Sequence, residues 1–265
     1  MRTSCAATIA IVAMIAATPA WAEDAANTAS ASSAPSFSLM TGVDYSSGDY
    51  GTGVDTNILV IPATARLTTG NFRFSATLPW LRIDGANVIG GGDGGPIVID
   101  PNAPRTIRKG LGDLSLAATY AIPEESAGVG IEFTGRVKLP TGSTSKGLST
   151  GKVDVSTSVE LSKTFGVVTP YVEVGYKWAG DPSYIDLNNT WFGAIGASAV
   201  LGQSVVLLEY DYREATSPLS DDSQEIFGAF STPVSKRLSL TLYGSAGLSD
   251  GAPDYGLGGM VSVKF

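Results

Sequence analysis

The chain has 265 residues, 43% hydrophobic and only 16% charged, with a net charge of −8 and no histidine. The acidic balance argues against a nucleic-acid partner. The missing histidine excludes Ser-His-Asp and Cys-His catalysis, histidine metal ligation and the histidine-dependent hydrolases known among outer-membrane barrels.

In chain order, Arg2 gives a positive start, residues 9–17 (IAIVAMIAA) form an uncharged apolar core, and Ala20-Trp21-Ala22 offers a small-x-small cleavage pattern. The core is shorter than the roughly 20 residues a membrane-spanning helix needs. Residues 1–22 therefore read as a cleaved secretory signal, with a mature start near Glu23. The single cysteine, Cys5, lies inside this signal and too early for lipoprotein acylation, so the mature chain lacks thiol nucleophiles and zinc-cysteine sites. We expect no cofactor and no enzymatic activity. Residues 23–35, rich in Ala, Ser, Asn and Thr from residue 25 on, read as a flexible periplasmic tail.

From Phe37 onward the pattern has period two, as in strands with two different faces. Val129, Ile131, Phe133, Gly135, Val137 and Leu139 interleave with Glu132, Thr134, Arg136 and Lys138, so one face is apolar and the other charged. Twelve segments follow this rule, near 36–46, 54–66, 71–83, 110–122, 129–140, 153–165, 167–178, 190–201, 204–213, 223–232, 237–249 and 254–265. Alternation is weakest at 54–66, 190–201 and 223–232. Short connections (68–70, 123–128, 166, 202–203, 233–236) alternate strictly with mostly longer, more polar ones (46–53, 84–109, 141–152, 179–189, 214–222, 250–253). An even strand number with short turns on one side and longer loops on the other is the signature of an outer-membrane barrel. The fold class expected is therefore all-β, a transmembrane antiparallel up-and-down barrel over 36–265, with both termini periplasmic and Gram-negative outer-membrane lipid around it.

On this topology Tyr176, Trp178, Trp191, Tyr210, Tyr212 and Tyr255 fall at the outer ends of strands, and Phe72, Tyr120, Phe165 and Phe265 at the periplasmic ends. Aromatic girdles occupy these levels. The last strand alternates through Tyr255, Leu257, Gly259, Val261, Val263 and Phe265, and its terminal phenylalanine resembles the signal read by the barrel-assembly machinery. An open sheet edge in lipid leaves unpaired backbone groups, so the last strand is expected to pair with the first.

Arg73, Asp113, Glu132, Arg136, Lys138, Asp154, Glu160, Glu173, Lys177, Glu209, Asp211 and Arg213 occupy the face opposite the apolar residues. A charge facing lipid at midplane costs roughly 2–4 kcal/mol for Arg or Lys, so these must point into the lumen. They form either a paired ladder filling a narrow barrel or the lining of a selective pathway. A twelve-stranded barrel leaves room for at most a thin channel. The long loop 84–109 carries a glycine cluster at 90–95, an apolar stretch at 96–99 and the bases Arg105, Arg108 and Lys109. It either folds inward as a constriction or extends outside. The glycines at 90–95 and 110–112 lack the strand–loop–helix setting of a phosphate loop. Asp93 or Asp100 could serve a calcium site in an outer loop only with several further oxygen ligands in a defined array.

Leu78-Pro79-Trp80, Gly110-Leu111-Gly112-Asp113-Leu114 leading to Tyr120, residues 137–142 (VKLPTG) and residues 151–154 resemble, in order and spacing, the landmarks of the outer-membrane family named for the meta-pathway of phenol degradation. The resemblance covers most of the mature chain. It implies a barrel that passes small hydrophobic or aromatic molecules, and it brings no agreed binding residues. Asp113 and Lys138 are the lumen-facing positions within those landmarks. The N-terminal tail is too short for the plug of a fatty-acid-transporter-like barrel. The expected function is a channel or transporter for small solutes. Its competitor is a structural or surface-interaction barrel with a sealed, salt-bridged lumen, and a secreted soluble sandwich is a third reading.

Overall fold

The computed structural model describes residues 35–90 and 96–265; the expected secretory signal, the expected tail as far as residue 34, and Asp93 lie outside them. The strands are β1 (Ser36–Gly48), β2 (Thr56–Thr69), β3 (Phe72–Gly85), β4 (Asn87–Ile89), β5 (Ile97–Asp100), β6 (Thr106–Leu111), β7 (Leu114–Ile122) and β8 (Gly130–Leu139). They continue as β9 (Asp154–Ser162), β10 (Val168–Trp178), β11 (Thr190–Leu201), β12 (Ser204–Arg213), β13 (Ser223–Pro233), β14 (Leu238–Gly247) and β15 (Tyr255–Lys264). One helical turn, α1 (Glu124–Ala127), joins β7 to β8.

Each wall strand pairs antiparallel with its neighbours, and β1 pairs with both β2 and β15, so the sheet closes on itself. Ser38 faces Lys264 and Ser47 faces Tyr255 along the seam. β4 and β5 form a separate hairpin, and β6 and β7 occupy one wall position in succession. Twelve wall strands remain, in a closed antiparallel barrel. All twelve alternating segments of the sequence map onto them. The strand pairing is interrupted between Leu111 and Leu114, where β3 passes from pairing with β6 at Trp80–Gly85 to pairing with β7 at Phe72–Thr77.

The alternation sorts the faces as the lipid argument requires. Leu116, Phe133, Val155, Val172, Ile195, Leu208, Leu242 and Leu257 stand exposed on the outside, while the charged partners in between are buried inside. The tight connections fall at one end of the barrel. Gly70 and Gly202 turn there at φ +54° and +69°, a left-handed backbone that a side chain would strain. The longer loops gather at the other end.

β2 explains the weak alternation of its segment. Its inward Ile58 and Val60 are as apolar as its lipid side, because they pack against the β4–β5 hairpin. The 84–109 region is thus shorter as a free loop than the sequence suggested. Asp84 and Gly85 pair with Ile107 and Thr106, and the hairpin between them turns into the barrel. Of the two readings for this region, the inward one is what the structure shows.

Candidate functional site in the barrel lumen

At the loop end, Val88, Ile97 and Val98 of the hairpin are fully buried. Val88 and Val98 join Ile58, Val60, Leu81, Ile83, Tyr50 and Leu148 in one apolar cluster. Polar contacts from the surrounding wall also reach the hairpin. Arg108 Nη2 donates to Ala86 O at 2.6 Å, and Ser217 Oγ, from the β12–β13 loop, donates to Val98 O at 2.5 Å. Loops from opposite walls thus meet over the mouth. Arg105, exposed beyond it, donates to Asp84 at 2.7 Å, and that hydrogen bond holds the Asp84 carboxyl below its ordinary range.

Below the hairpin lies an ion chain across β7, β8, β9 and β10. Lys138 Nζ sits 3.4 Å from Asp113 Oδ2 and 2.9 Å from Asp154 Oδ2, and Lys177 Nζ is 4.0 Å from that same Asp154 oxygen. Asp113 also accepts from Gly142 N and Ser149 Oγ, each at 2.9 Å, and Lys177 donates to Thr216 Oγ1 at 3.1 Å. The chain therefore ties the wall break at Asp113 to the β8–β9 and β12–β13 loops. All four charged side chains are buried.

Deeper still, carboxylates stand side by side. Glu132 faces Glu160 and Glu160 faces Glu173 in direct cross-strand register, while Asp211 faces Glu225 nearer the loop end, beside Pro96 and Val98. Like charges directly opposite destabilise a sheet. Here guanidinium groups offset them in part: Arg73 Nη2 meets Glu132 Oε2 at 2.6 Å, and Arg213 lies 3.8 Å from Glu225. Tyr171 donates to Glu209 Oε2 at 2.5 Å. Around this tyrosine Val205, Leu207, Phe227 and Ala229 form a second apolar cluster on the inner wall.

Of the twelve charged positions, ten are buried on the inner face, and Arg73 and Arg136 are half-buried. Asp113, Lys138, Asp154 and Lys177 form one group, and the remaining eight lie in or beside the carboxylate rows. The sequence reading missed Asp44, Arg66, Tyr171 and Glu225. Asp44 could have been found from its phase, since Leu39 and Val43 alternate with it to the lipid side. Arg66 and Glu225 sit in segments whose alternation is blurred by inward apolar residues. Asp100 accepts from Asn102 N at 2.9 Å, which makes it a turn residue. Phe265 N donates to Phe37 O at 2.8 Å and the two rings lie 6.0 Å apart, so the last residue is stitched to the first strand.

The COG4313 outer membrane channel from Pseudomonas putida F1 is similar in fold, with a TM-score of 0.63 at 13% identity over 89% of this chain and 97% of that one. The β domain of the Bordetella autotransporter BrkA aligns with a TM-score of 0.47 at 12% identity, over 86% and 98%. The CymD monoaromatic hydrocarbon channel aligns with a TM-score of 0.43 at 10% identity, over 90% and 89%. Comparison with curated protein sequences returned no match. The apolar outer belt and the closed barrel make this an outer-membrane protein of the Gram-negative type. Residues 22–265 match the family described as "Putative MetA-pathway of phenol degradation", and the chain belongs to that family.

Proposed function

We propose that the protein is a passive outer-membrane channel for small, weakly polar solutes, aromatic ones included, and not an enzyme. We place the hairpin end outside the cell and the tight turns and termini in the periplasm, since short turns lie on the periplasmic side of such barrels. The observation that carries the proposal is the mouth. The hairpin packs there on an apolar wall formed by Ile58, Val60, Leu81 and Ile83. A hydrophobic solute can replace those contacts as the hairpin shifts, whereas a sugar cannot. Membership in a family named for phenol degradation agrees with such a substrate.

A sealed barrel is the second reading. It is favoured by the buried ion pairs of the lumen, Arg73 with Glu132 and Lys138 with Asp154 among them. Solute entry into liposomes separates the two. We expect phenol to enter faster than a small sugar or a charged amino acid, and Val98→Asp, which puts a charge into the apolar cluster, to raise the entry of all three. No entry of any solute with folded protein, wild type and variant alike, would establish the sealed barrel.

A further inference from the structure

The outer face between β8 and β11 is not smooth. Gly135, Thr157, Tyr176 and Trp191 follow one another in cross-strand register, and the two small residues leave a groove of about 880 Å³. Phe133 bounds it towards the turn end and Trp178 towards the loop end. A Cβ built on Gly135 would meet nothing within 4 Å, so the floor there is open. Tyr176 packs edge-on against both Trp178 and Trp191, which fixes the upper wall.

The rim beside this face carries a row of bases over β6 and the β8–β9 loop, although the chain is acidic overall and Asp181 and Asp186 stand exposed beyond β10 and β11. Arg82 and Lys109 are direct cross-strand partners on β3 and β6, one level beyond Trp80 and Leu111. Asp84 neutralises Arg82 in part, at 3.4 Å. The β8–β9 loop carries Lys146 and Lys152, both exposed, and lies against β6, where Arg108 Nη1 donates to Gly147 O at 3.2 Å. Lys152 Cβ lies 2.7 Å from the position a Gly180 Cβ would take, two residues past Trp178.

The depth matches one leaflet. Five residues separate Lys152 from Thr157, about 17 Å of strand. With a strand tilt near 40°, that is roughly 13 Å along the membrane normal, half of an apolar band about 25 Å tall.

We propose that this wall is a binding site for lipid A, the anionic lipid of the outer leaflet. Its phosphates contact Lys109, Lys146 and Lys152, and an acyl chain lies in the groove over Gly135 and Thr157. The proposal rests on the orientation given above. That orientation is tested separately, with an impermeant maleimide on Ser145→Cys, the only cysteine of the mature chain: labelling of intact cells supports it.

The binding test is native mass spectrometry of detergent-purified full-length protein titrated with lipid A and, in parallel, with phosphatidylglycerol. We expect one lipid A bound per barrel and weaker phosphatidylglycerol. Lys109→Gln/Lys146→Gln/Lys152→Gln removes charge-assisted contacts and should weaken lipid A by tenfold or more. Gly135→Leu, whose Cβ has open space within 4 Å, fills the groove and should weaken it while leaving the fold intact, and Lys236→Glu at the turn end should change nothing. Equal retention by the wild type and both rim and groove variants would overturn the site. So would phosphatidylglycerol held as tightly as lipid A, or a second barrel found in place of lipid.

Discussion

Lys138 offers the sharpest test of how dry the lumen is. It is buried between two carboxylates, at 3.4 Å from Asp113 and 2.9 Å from Asp154. Lys138→Met keeps the apolar stem and removes the charge, leaving two buried anions with less compensation. Breaking a buried pair in this way costs about 3–5 kcal/mol. The remaining partners moderate the loss: Asp113 keeps Gly142 N and Ser149 Oγ, and Asp154 keeps Gly180 N at 3.0 Å and Lys177 at 4.0 Å. The lower end, about 3 kcal/mol, is therefore expected, which is more than a hundredfold in the unfolding equilibrium. Urea unfolding in lipid vesicles, followed by the shifted gel mobility of the folded barrel, measures it. Adding Asp113→Asn and Asp154→Asn to the same chain should recover most of the loss. A cost below about 1 kcal/mol is what a solvent-exposed pair gives; it would refute the reasoning and mean that the lumen is filled with water.

The face assignment predicts a depth gradient. Leu242→Arg, near the middle of β14 on the lipid side, should destabilise by roughly 2–4 kcal/mol, and Val137→Arg, nearer the loop end of β8, by less; equal, negligible costs in vesicle unfolding would invert the faces. At the tight-turn end, Glu124 accepts from Lys163, 2.8 Å away, and from Thr164 N at 3.0 Å, and these hold its carboxyl below the ordinary range. A depressed carboxylate stabilises the fold above its unfolded pKa and loses that contribution as pH falls through the folded value. Glu124→Gln should therefore cost under about 1 kcal/mol at pH 7, as an exposed pair does, and nothing in strong acid. Removing Phe265 takes away the Phe37 O contact and the proposed assembly signal. Less protein should reach the membrane fraction in cells, while refolding from urea into detergent changes little.

The barrel was legible in the sequence because lipid enforces the pattern. An apolar residue every second position, as in β8 or β15, has no cheaper explanation, and the inward charges follow by subtraction. The interior was less legible, for a physical reason. Ile58 and Val60 on β2, and Phe227 and Ala229 on β13, are apolar on the side that should be polar, because one pair meets the hairpin and the other meets Tyr171. A residue that packs on lipid and one that packs on an inserted loop look the same in sequence. The direction of the hairpin was open for the same reason, since a short apolar stretch in a long loop does not say which apolar surface it seeks. The pairing of particular charges depends on register between strands, which alternation alone does not fix. Lys138 with Asp113 and Asp154 is such a case.

The break in the wall between Leu111 and Leu114 also sets how deep the protein floats. Beyond it, among the described residues, the edge of β6 away from β3 pairs with no other strand and has only the β8–β9 loop beside it, and backbone of that kind is not tolerated where it meets hydrocarbon. The outer surface of the oil must therefore lie at or below the break. β7 begins at that point and has nine residues, about 30 Å of strand, or roughly 23 Å along the normal at a tilt near 40°. That is almost the whole thickness of such a membrane. The fourteen-residue strands β2 and β3 on the neighbouring wall must then rise into water by several residues, with Arg82 and Lys109 just clear of the oil. The rim of the barrel is thus a slope, low on one side and high on the other, and the hairpin leans from its high side.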